Sequence, residues 1–285
     1  MAEKRKVIYY DDELNSEFSK AQIKTKEIGD DYVYIRESAF RRFTHFFWYR
    51  IVALPLARLY LKLAFRHRTE NKAVLESSGG GGYFLFGNHT QDIADALIPA
   101  VTVFPRDAYV IVHPNNVSMP VLGRITPSLG ALPLPDTLRA GRNFMKAIDR
   151  RIEEKKAVVI YPEAHNWPYY TDIRPFKDDS FYYPIKYGCP SYCFTNTYRK
   201  RRHGKKPRIV TYIDGPFYPD TGLKGAERRR DLRDRIYACM KERSRLSDTV
   251  YIRYIRKNTA AGSDTDCKAE AKCEKAEGTD KKSAG

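Results

Sequence analysis

A histidine placed where a buried strand ends, with carboxylates three and six residues further on, is an arrangement that can move protons. His89 follows the apolar run Tyr83-Phe84-Leu85-Phe86 and the break Gly87-Asn88, and Asp92 and Asp95 come after it. Short apolar runs bounded by Gly and Asn read as buried strands, and open α/β sheets carry their chemistry at strand exits. Ile93, Ala94, Ala96, Leu97 and Ile98 then suit a helix with a carboxylate near its start. A carboxylate beside an imidazole fixes its tautomer and stabilises the imidazolium as it forms, which makes a general base. Such a base can deprotonate a substrate hydroxyl directly, without a Ser or Cys nucleophile. The same residues also fit a histidine that closes a strand beside a helix-start Asp, and Asp92 in particular suits helix capping.

A second group of polar residues stands after a second buried run. Ala157-Val158-Val159-Ile160-Tyr161 leads into Pro162-Glu163-Ala164-His165-Asn166, and Phe181-Tyr182-Tyr183-Pro184-Ile185 follows a mixed loop. This order of strand and Asn-His with a nearby Asp, strand and Pro-Glu, then an aromatic-Pro-Ile step resembles the glycerolipid O-acyltransferase superfamily. The best-known members of that superfamily acylate lysophosphatidic acid. Its first block, Asn-His-x-Ser-x-x-Asp, is matched by Asn88, His89 and Asp95 with one additional residue before the Asp. Its third, Phe-Pro-Glu-Gly-Thr-Arg, is matched by Tyr161, Pro162 and Glu163, and its fourth by Tyr183-Pro184-Ile185. The likeness covers roughly residues 80 to 215.

The resemblance implies transfer of an acyl group from acyl-CoA or acyl carrier protein to the hydroxyl of a lysophospholipid, foremost 1-acyl-glycerol-3-phosphate. His89 would be the base and Asp95 its orienter, with Asp92 the alternative partner. Asn88 and Glu163 would help organise the acceptor site, and no metal or bound cofactor is implied. Glu163 is also suited to pairing with a nearby Arg or Lys, and His165, which has no family counterpart, to a structural hydrogen bond. The developing oxyanion needs donors, and backbone N–H groups of the segment after His89 are candidates. The Gly-Thr-Arg of the third block is absent, replaced by Ala164-His165-Asn166, and the Gly-rich second block is only echoed by Gly130-Ala131-Leu132-Pro133-Leu134-Pro135. The acceptor phosphate therefore needs other cations, and Arg binds phosphate best. Arg174 is the first choice, with Arg124, Arg139, Arg142 and Lys177 behind it.

Charge narrows the partners. The chain has 51 Lys+Arg against 35 Asp+Glu, a net +16 and a pI near 9.5, which calls for an acidic partner: nucleic acid, anionic lipid or phosphate-bearing substrates. Nucleic acid is disfavoured because no helix-turn-helix, zinc-finger or RNP-like signature is present. A non-catalytic lipid-binding protein is the other alternative, given the altered His-to-Asp spacing. The five cysteines (189, 193, 239, 267, 273) show no metal-site spacing and no disulfide framework, which suits a reducing cytoplasm. The N-terminus lacks an apolar signal region.

The elements that must hold this chemistry in place are those of an α/β fold, a mixed, mainly parallel sheet flanked by helices. Strands are expected at 83–86, 109–112, 158–161, 192–197 and 209–213, and helices at 93–103, 138–155 and 225–245. Residues 1–36 read as an N-terminal extension with β-like runs at 7–10 and 32–35. Residues 37–68 are crowded with Phe, Trp, Tyr and Leu and studded with Arg and Lys. Arg50 and Arg58 interrupt the run too often for a membrane span, and Pro55 should kink or break the helix. Such composition suits a helix lying at an anionic membrane surface, which would put the protein, as a peripheral one, on the cytoplasmic face. Residues 69–257 form the catalytic domain, and 258–285, all small or polar, are expected to be disordered.

Overall fold

The computed structural model describes residues 6–18, 25–35, 38–120, 122–204 and 206–257; the expected tail, 258–285, lies outside them. Strand β1 (Lys6–Tyr10) is followed by helix α1 (Ala39–Phe46), a π-helical stretch (Phe47–Ala53) and α2 (Leu54–Phe65). Next come β2 (Arg68–Glu70), β3 (Tyr83–Gly87), α3 (Ala94–Val103) and β4 (Ala108–Val112). Two short helices, α4 (Asn115–Ser118) and α5 (Leu122–Ile125), precede β5 (Ala131–Pro133), α6 (Leu138–Glu153) and β6 (Ala157–Ile160). The chain continues through α7 (Tyr182–Tyr187), β7 (Ser191–Arg199), β8 (Arg208–Phe217), α8 (Gly225–Ser244) and β9 (Ile252–Arg256).

Seven strands form one sheet in the order β2-β8-β7-β3-β6-β4-β5. β7, β3, β6, β4 and β5 are parallel to their neighbours, while β8 runs antiparallel to β7 and carries β2 parallel to itself. The central strands β3 and β6 are buried along their whole length, as a sheet covered on both faces requires. One face packs Phe84, Phe86, Val158 and Ile160 against α6 and α8, through Phe144, Ile148, Leu232 and Ile236. The other packs Tyr83, Leu85 and Val159 against α2 and α3, through Leu61, Phe65 and Ile98.

The expected strand at 32–35 does not form. Tyr34 instead packs on α6 beside Phe144, and its hydroxyl donates to the Pro133 carbonyl at 3.0 Å. β1 pairs in parallel with β9, residue Lys6 opposite Ile252. Pro55 does not divide the helix either. It falls in the first turn of α2, and the preceding π-helical turn, closed by Leu54 N–H donating to Tyr49 O, spaces the backbone around it. A wider turn relieves the clash between the proline ring and the carbonyl one turn back. Tyr49, Leu54, Ala57, Leu61 and Phe65 form the buried stripe of this rod. The Tyr49 hydroxyl accepts the Ala108 N–H at 2.8 Å, fixing the rod to the start of β4.

Candidate active site

β3 delivers Asn88 and His89 to the carboxyl end of the parallel strands. Gly87 is needed there because a Cβ would lie 2.0 Å from the Phe194 ring on β7. Asn88 is buried, and its side chain extends the β3–β7 pairing: Oδ1 accepts Asn196 N–H at 2.8 Å and Nδ2 donates to Asn196 O at 3.1 Å. With both of its amide groups taken up by β7, Asn88 holds the strand exit and is not turned toward a substrate.

The imidazole of His89 meets Asp95. Nδ1 lies 2.9 Å from Asp95 Oδ2, and the same oxygen accepts the N–H groups of Thr90 at 2.7 Å and Gln91 at 2.8 Å. The other oxygen accepts Asn196 Nδ2 at 3.2 Å. The one extra residue between His and Asp is absorbed by this wrap of the loop around the carboxylate. Asp95 is 1% exposed; burial pushes its carboxyl up, while the His89, Thr90 and Gln91 donors hold it toward the ionised form. An ionised Asp95 fixes the proton on Nδ1 and leaves Nε2 as the basic nitrogen. The His89 side chain is 25% exposed, and among the described residues Nε2 has no hydrogen-bond partner. Beneath the ring Tyr161 stacks at 4.7 Å, its hydroxyl donating to the Asp95 carbonyl. Asp92 stays exposed and accepts from Asn166 Nδ2 instead.

Glu163 is placed behind the histidine, not in front of it. It is buried; Oε2 accepts His89 N–H at 3.1 Å and Oε1 accepts Arg174 N–H at 3.0 Å. Arg174 is 1% exposed and cannot serve as the phosphate-holding cation. Its Nη2 pairs with Glu163 Oε2 at 3.5 Å and also donates to the carbonyls of Glu163 and His165, while Nη1 reaches Glu13 O. The guanidinium lies 4.8 Å from the Trp167 ring centre. Burial raises Glu163 and lowers Arg174, and each charge opposes the shift of the other. The ion pair is therefore a buried brace: Trp167 N–H donates to His89 O at 3.0 Å and Tyr169 N–H to Thr90 O at 2.9 Å, so the 161–170 loop grips the histidine loop.

One other expectation also needs correction. The backbone N–H groups of His89, Thr90 and Gln91 are turned onto Glu163 and Asp95, so they are not oxyanion donors. Arg124 lies on α5, and Arg139 and Arg142 on α6; with Lys177 all four are exposed. His165 faces Glu17, with Nδ1 at 3.7 Å from its carboxylate. The cysteines that lack a pattern in sequence do meet in space: Cys193, Cys239 and Asp214 have ligand atoms within 4.8 Å of one another. Both Asp214 oxygens, however, accept from Arg243, at 2.8 and 2.6 Å. A cavity of about 610 Å³ lies at the amino end of the parallel strands, beside Asp107, Tyr109 and Lys156 and so away from His89. Arg201 neighbours Arg66 and the Tyr169 phenol, which hydrogen-bonds Gln91 in the loop after His89. Its Nη2 donates to Ala64 O, and its Nε is buried without a partner among the described residues. Asn196 carries no signal in the sequence, Tyr161 is marked there only as the aromatic before Pro-Glu, and Arg201 only as one of the basic run 199–206, which reads as an exposed loop able to touch anionic lipid or phosphates.

A mainly parallel α/β sheet with an Asp-oriented histidine at its carboxyl end, its Nε2 without a partner among the described residues, is an arrangement able to activate a hydroxyl. Residues 66–195 match the family model described as Acyltransferase. Residues 66–195, which carry the His89–Asp95 pair and Glu163, are thus those of an acyltransferase domain. Among solved structures it is similar to the crystal structure of the 1-acyl-sn-glycerophosphate (LPA) acyltransferase PlsC from Thermotoga maritima. The two are 18% identical, with 74% of this chain and 89% of that one covered and a TM-score of 0.48. No curated protein sequence matches this chain.

Proposed function

We propose that this enzyme transfers a fatty acyl group from acyl-CoA or acyl carrier protein to the free hydroxyl of a lysophospholipid, foremost 1-acyl-glycerol-3-phosphate, in phospholipid synthesis. The observation that carries the reading is the 2.9 Å contact between His89 Nδ1 and a buried, four-times hydrogen-bonded Asp95. His89 Nε2 takes the acceptor hydroxyl proton as its oxygen attacks the thioester carbonyl; Asp95 stabilises the imidazolium; the proton then passes to the departing thiolate. Arg201 and Arg66, neighbouring cations with no carboxylate partner among the described residues, are candidates for holding the acceptor phosphate.

The lipid substrate is met at a membrane surface. The rod from α1 to α2 presents Phe40, Phe43, Phe46, Ile51, Leu56, Leu59 and Leu63 outward, with Phe40 74% and Leu63 69% exposed. Arg58 folds back over Phe104 at 4.4 Å and Arg50 onto Asp107 at 2.8 Å, so the outer face is more apolar than the sequence suggests. Among the described residues no helix is long and apolar enough to cross a membrane. The reading is of a peripheral protein at the cytoplasmic face, docked by this rod and by its positive charge.

The test is acyl transfer by the purified protein from labelled acyl-CoA and acyl carrier protein to a panel of lysophospholipids, beside His89→Ala. Turnover lost by at least about 100-fold in the variant supports the assignment. Equal activity in parent and variant, or no turnover with any pair by folded, vesicle-binding protein, overturns it.

A further inference from the structure

Behind the His89–Asp95 pair a file of buried polar groups continues away from the site, across β7 and β8, to the end of α2. Asn196 Nδ2 donates to Asp95 Oδ1 at 3.2 Å, Thr211 Oγ1 donates to Asn196 Oδ1 at 2.6 Å, and His67 Nε2 lies 2.9 Å from Thr211 Oγ1. Asn196 and Thr211 are directly opposite each other in the β7–β8 ladder, and His67 stands two residues beyond the last residue of α2. Asp95, Asn196 and Thr211 are each at most 1% exposed.

The donors run one way only. The Asp95 carboxylate accepts, so the Asn196 amide must turn its NH2 toward it and its oxygen toward Thr211. That oxygen can only accept, so it takes the single hydroxyl proton of Thr211. Thr211 Oγ1 then has lone pairs but no proton for His67, and His67 must carry its proton on Nε2. Burial lowers the His67 imidazole to about 4, which leaves it neutral, with Nδ1 unprotonated, near pH 7. The file therefore supplies orientation to Asp95 and not charge.

We propose that His67, Thr211 and Asn196 are positioning residues that lock the Asp95 carboxylate in the rotamer serving His89. The proposal rests on the acyl-transfer reading of the His89–Asp95 pair. Oδ2 already has three donors from its own loop, and among the described residues only Asn196 holds Oδ1. Without that hold the carboxylate can rotate about χ2 and lose its alignment with the imidazole N–H. None of the three residues reaches the imidazole, so substrate binding should not depend on them. His67 adjoins the helix with the exposed apolar face, so the file also ties the membrane-docking rod to the catalytic carboxylate.

The test compares Thr211→Val, which keeps shape and removes the hydroxyl, with Thr211→Ser, which restores it. Thr211→Val is expected to lower kcat about tenfold, with KM for donor and acceptor within about twofold, and Thr211→Ser to stay within about threefold of the parent. His67→Gln, whose amide N–H can replace the Nε2 donor, should likewise retain kcat where His67→Leu loses it; this second pair decides the matter if Thr211→Val does not fold. A folded Thr211→Val with parental kcat, or a loss that neither Thr211→Ser nor His67→Gln reverses, overturns the proposal. Inactive His89→Ala beside fully active Thr211→Val would defeat this inference alone. Active His89→Ala would defeat the functional reading beneath it.

Discussion

Replacing Asp95 by Asn removes one charge and keeps the shape, and the structure makes the consequence specific. Asp95 Oδ2 accepts three donors, from His89 Nδ1 and from the backbone of Thr90 and Gln91, and Oδ1 accepts a fourth from Asn196. An amide has one oxygen to offer. If that oxygen faces the three donors, its NH2 confronts the Asn196 NH2; if it faces Asn196, the NH2 confronts His89 and two backbone N–H groups. Either orientation also leaves the imidazolium formed during proton abstraction without its counter-charge. Losing a charged hydrogen bond costs about 1.5–3 kcal/mol, and the missing attraction at an effective dielectric near 20 adds up to about 4 kcal/mol. The two overlap, because the charged hydrogen bond is part of that attraction, so a combined loss of about 3–4 kcal/mol is taken, and Asp95→Asn is expected to lower kcat on the order of 100- to 1000-fold. Among the described residues Asp92 accepts one exposed hydrogen bond, from Asn166, so Asp92→Asn should stay within about threefold. The assay is the steady-state rate of acyl transfer at saturating donor and acceptor, on variants with parental circular dichroism. A larger loss in Asp92→Asn than in Asp95→Asn would refute the reasoning.

Three further outcomes are expected. Glu163→Gln leaves Arg174 charged in a site where both side chains are fully buried, so urea unfolding should show a loss of about 3–5 kcal/mol; Glu163→Gln combined with Arg174→Met should recover much of it, and an undiminished single variant would show the brace to be unimportant. Changing Phe40, Phe43 and Leu63 together to Ser should weaken partitioning onto anionic vesicles by at least about 3 kcal/mol, on the order of 100-fold in sedimentation, whereas unchanged binding would exclude this face. Burial would raise the Asp107 carboxyl, but hydrogen bonds from His45 and Lys156 and the Lys156 and Arg50 charges hold it well below the usual carboxylate range. A carboxylate depressed on folding contributes stability that is complete above its unfolded value of about 3.9 and is lost as pH falls through the folded one. The stability gap between parent and Asp107→Asn should then be constant near neutrality and narrow from about pH 4 downward, and a gap independent of pH would contradict that origin.

What the chain determines locally is its elements and their order. Apolar runs such as 83–86 and 157–160 can only be buried, and the breaks after them, Gly87-Asn88 and Pro162, stop the strands where polar residues must emerge. Alternation of these runs with amphipathic stretches is enough for a mainly parallel α/β sheet, and the His89 neighbourhood announces its chemistry by composition alone. Local pattern was weaker where packing decides. Residues 32–35 have strand-like composition and no strand partner, and Pro55 sits in a helix that a π turn keeps unbroken. The choice between Asp92 and Asp95 was open in sequence because both lie within one loop of His89. Only the fold closes it, by burying one carboxylate under four donors and leaving the other in water. Arg174 shows the same limit from the other side: a basic residue near Pro-Glu looks like a phosphate ligand until the N-terminal segment and Trp167 enclose it. Asn196, Thr211 and His67 are 107, 122 and 22 residues from His89 along the chain, and nothing in their local sequence marks them. Hydrogen-bond direction is a property of groups brought together across strands, so sequence could supply the donors and acceptors but only the tertiary structure could pair them.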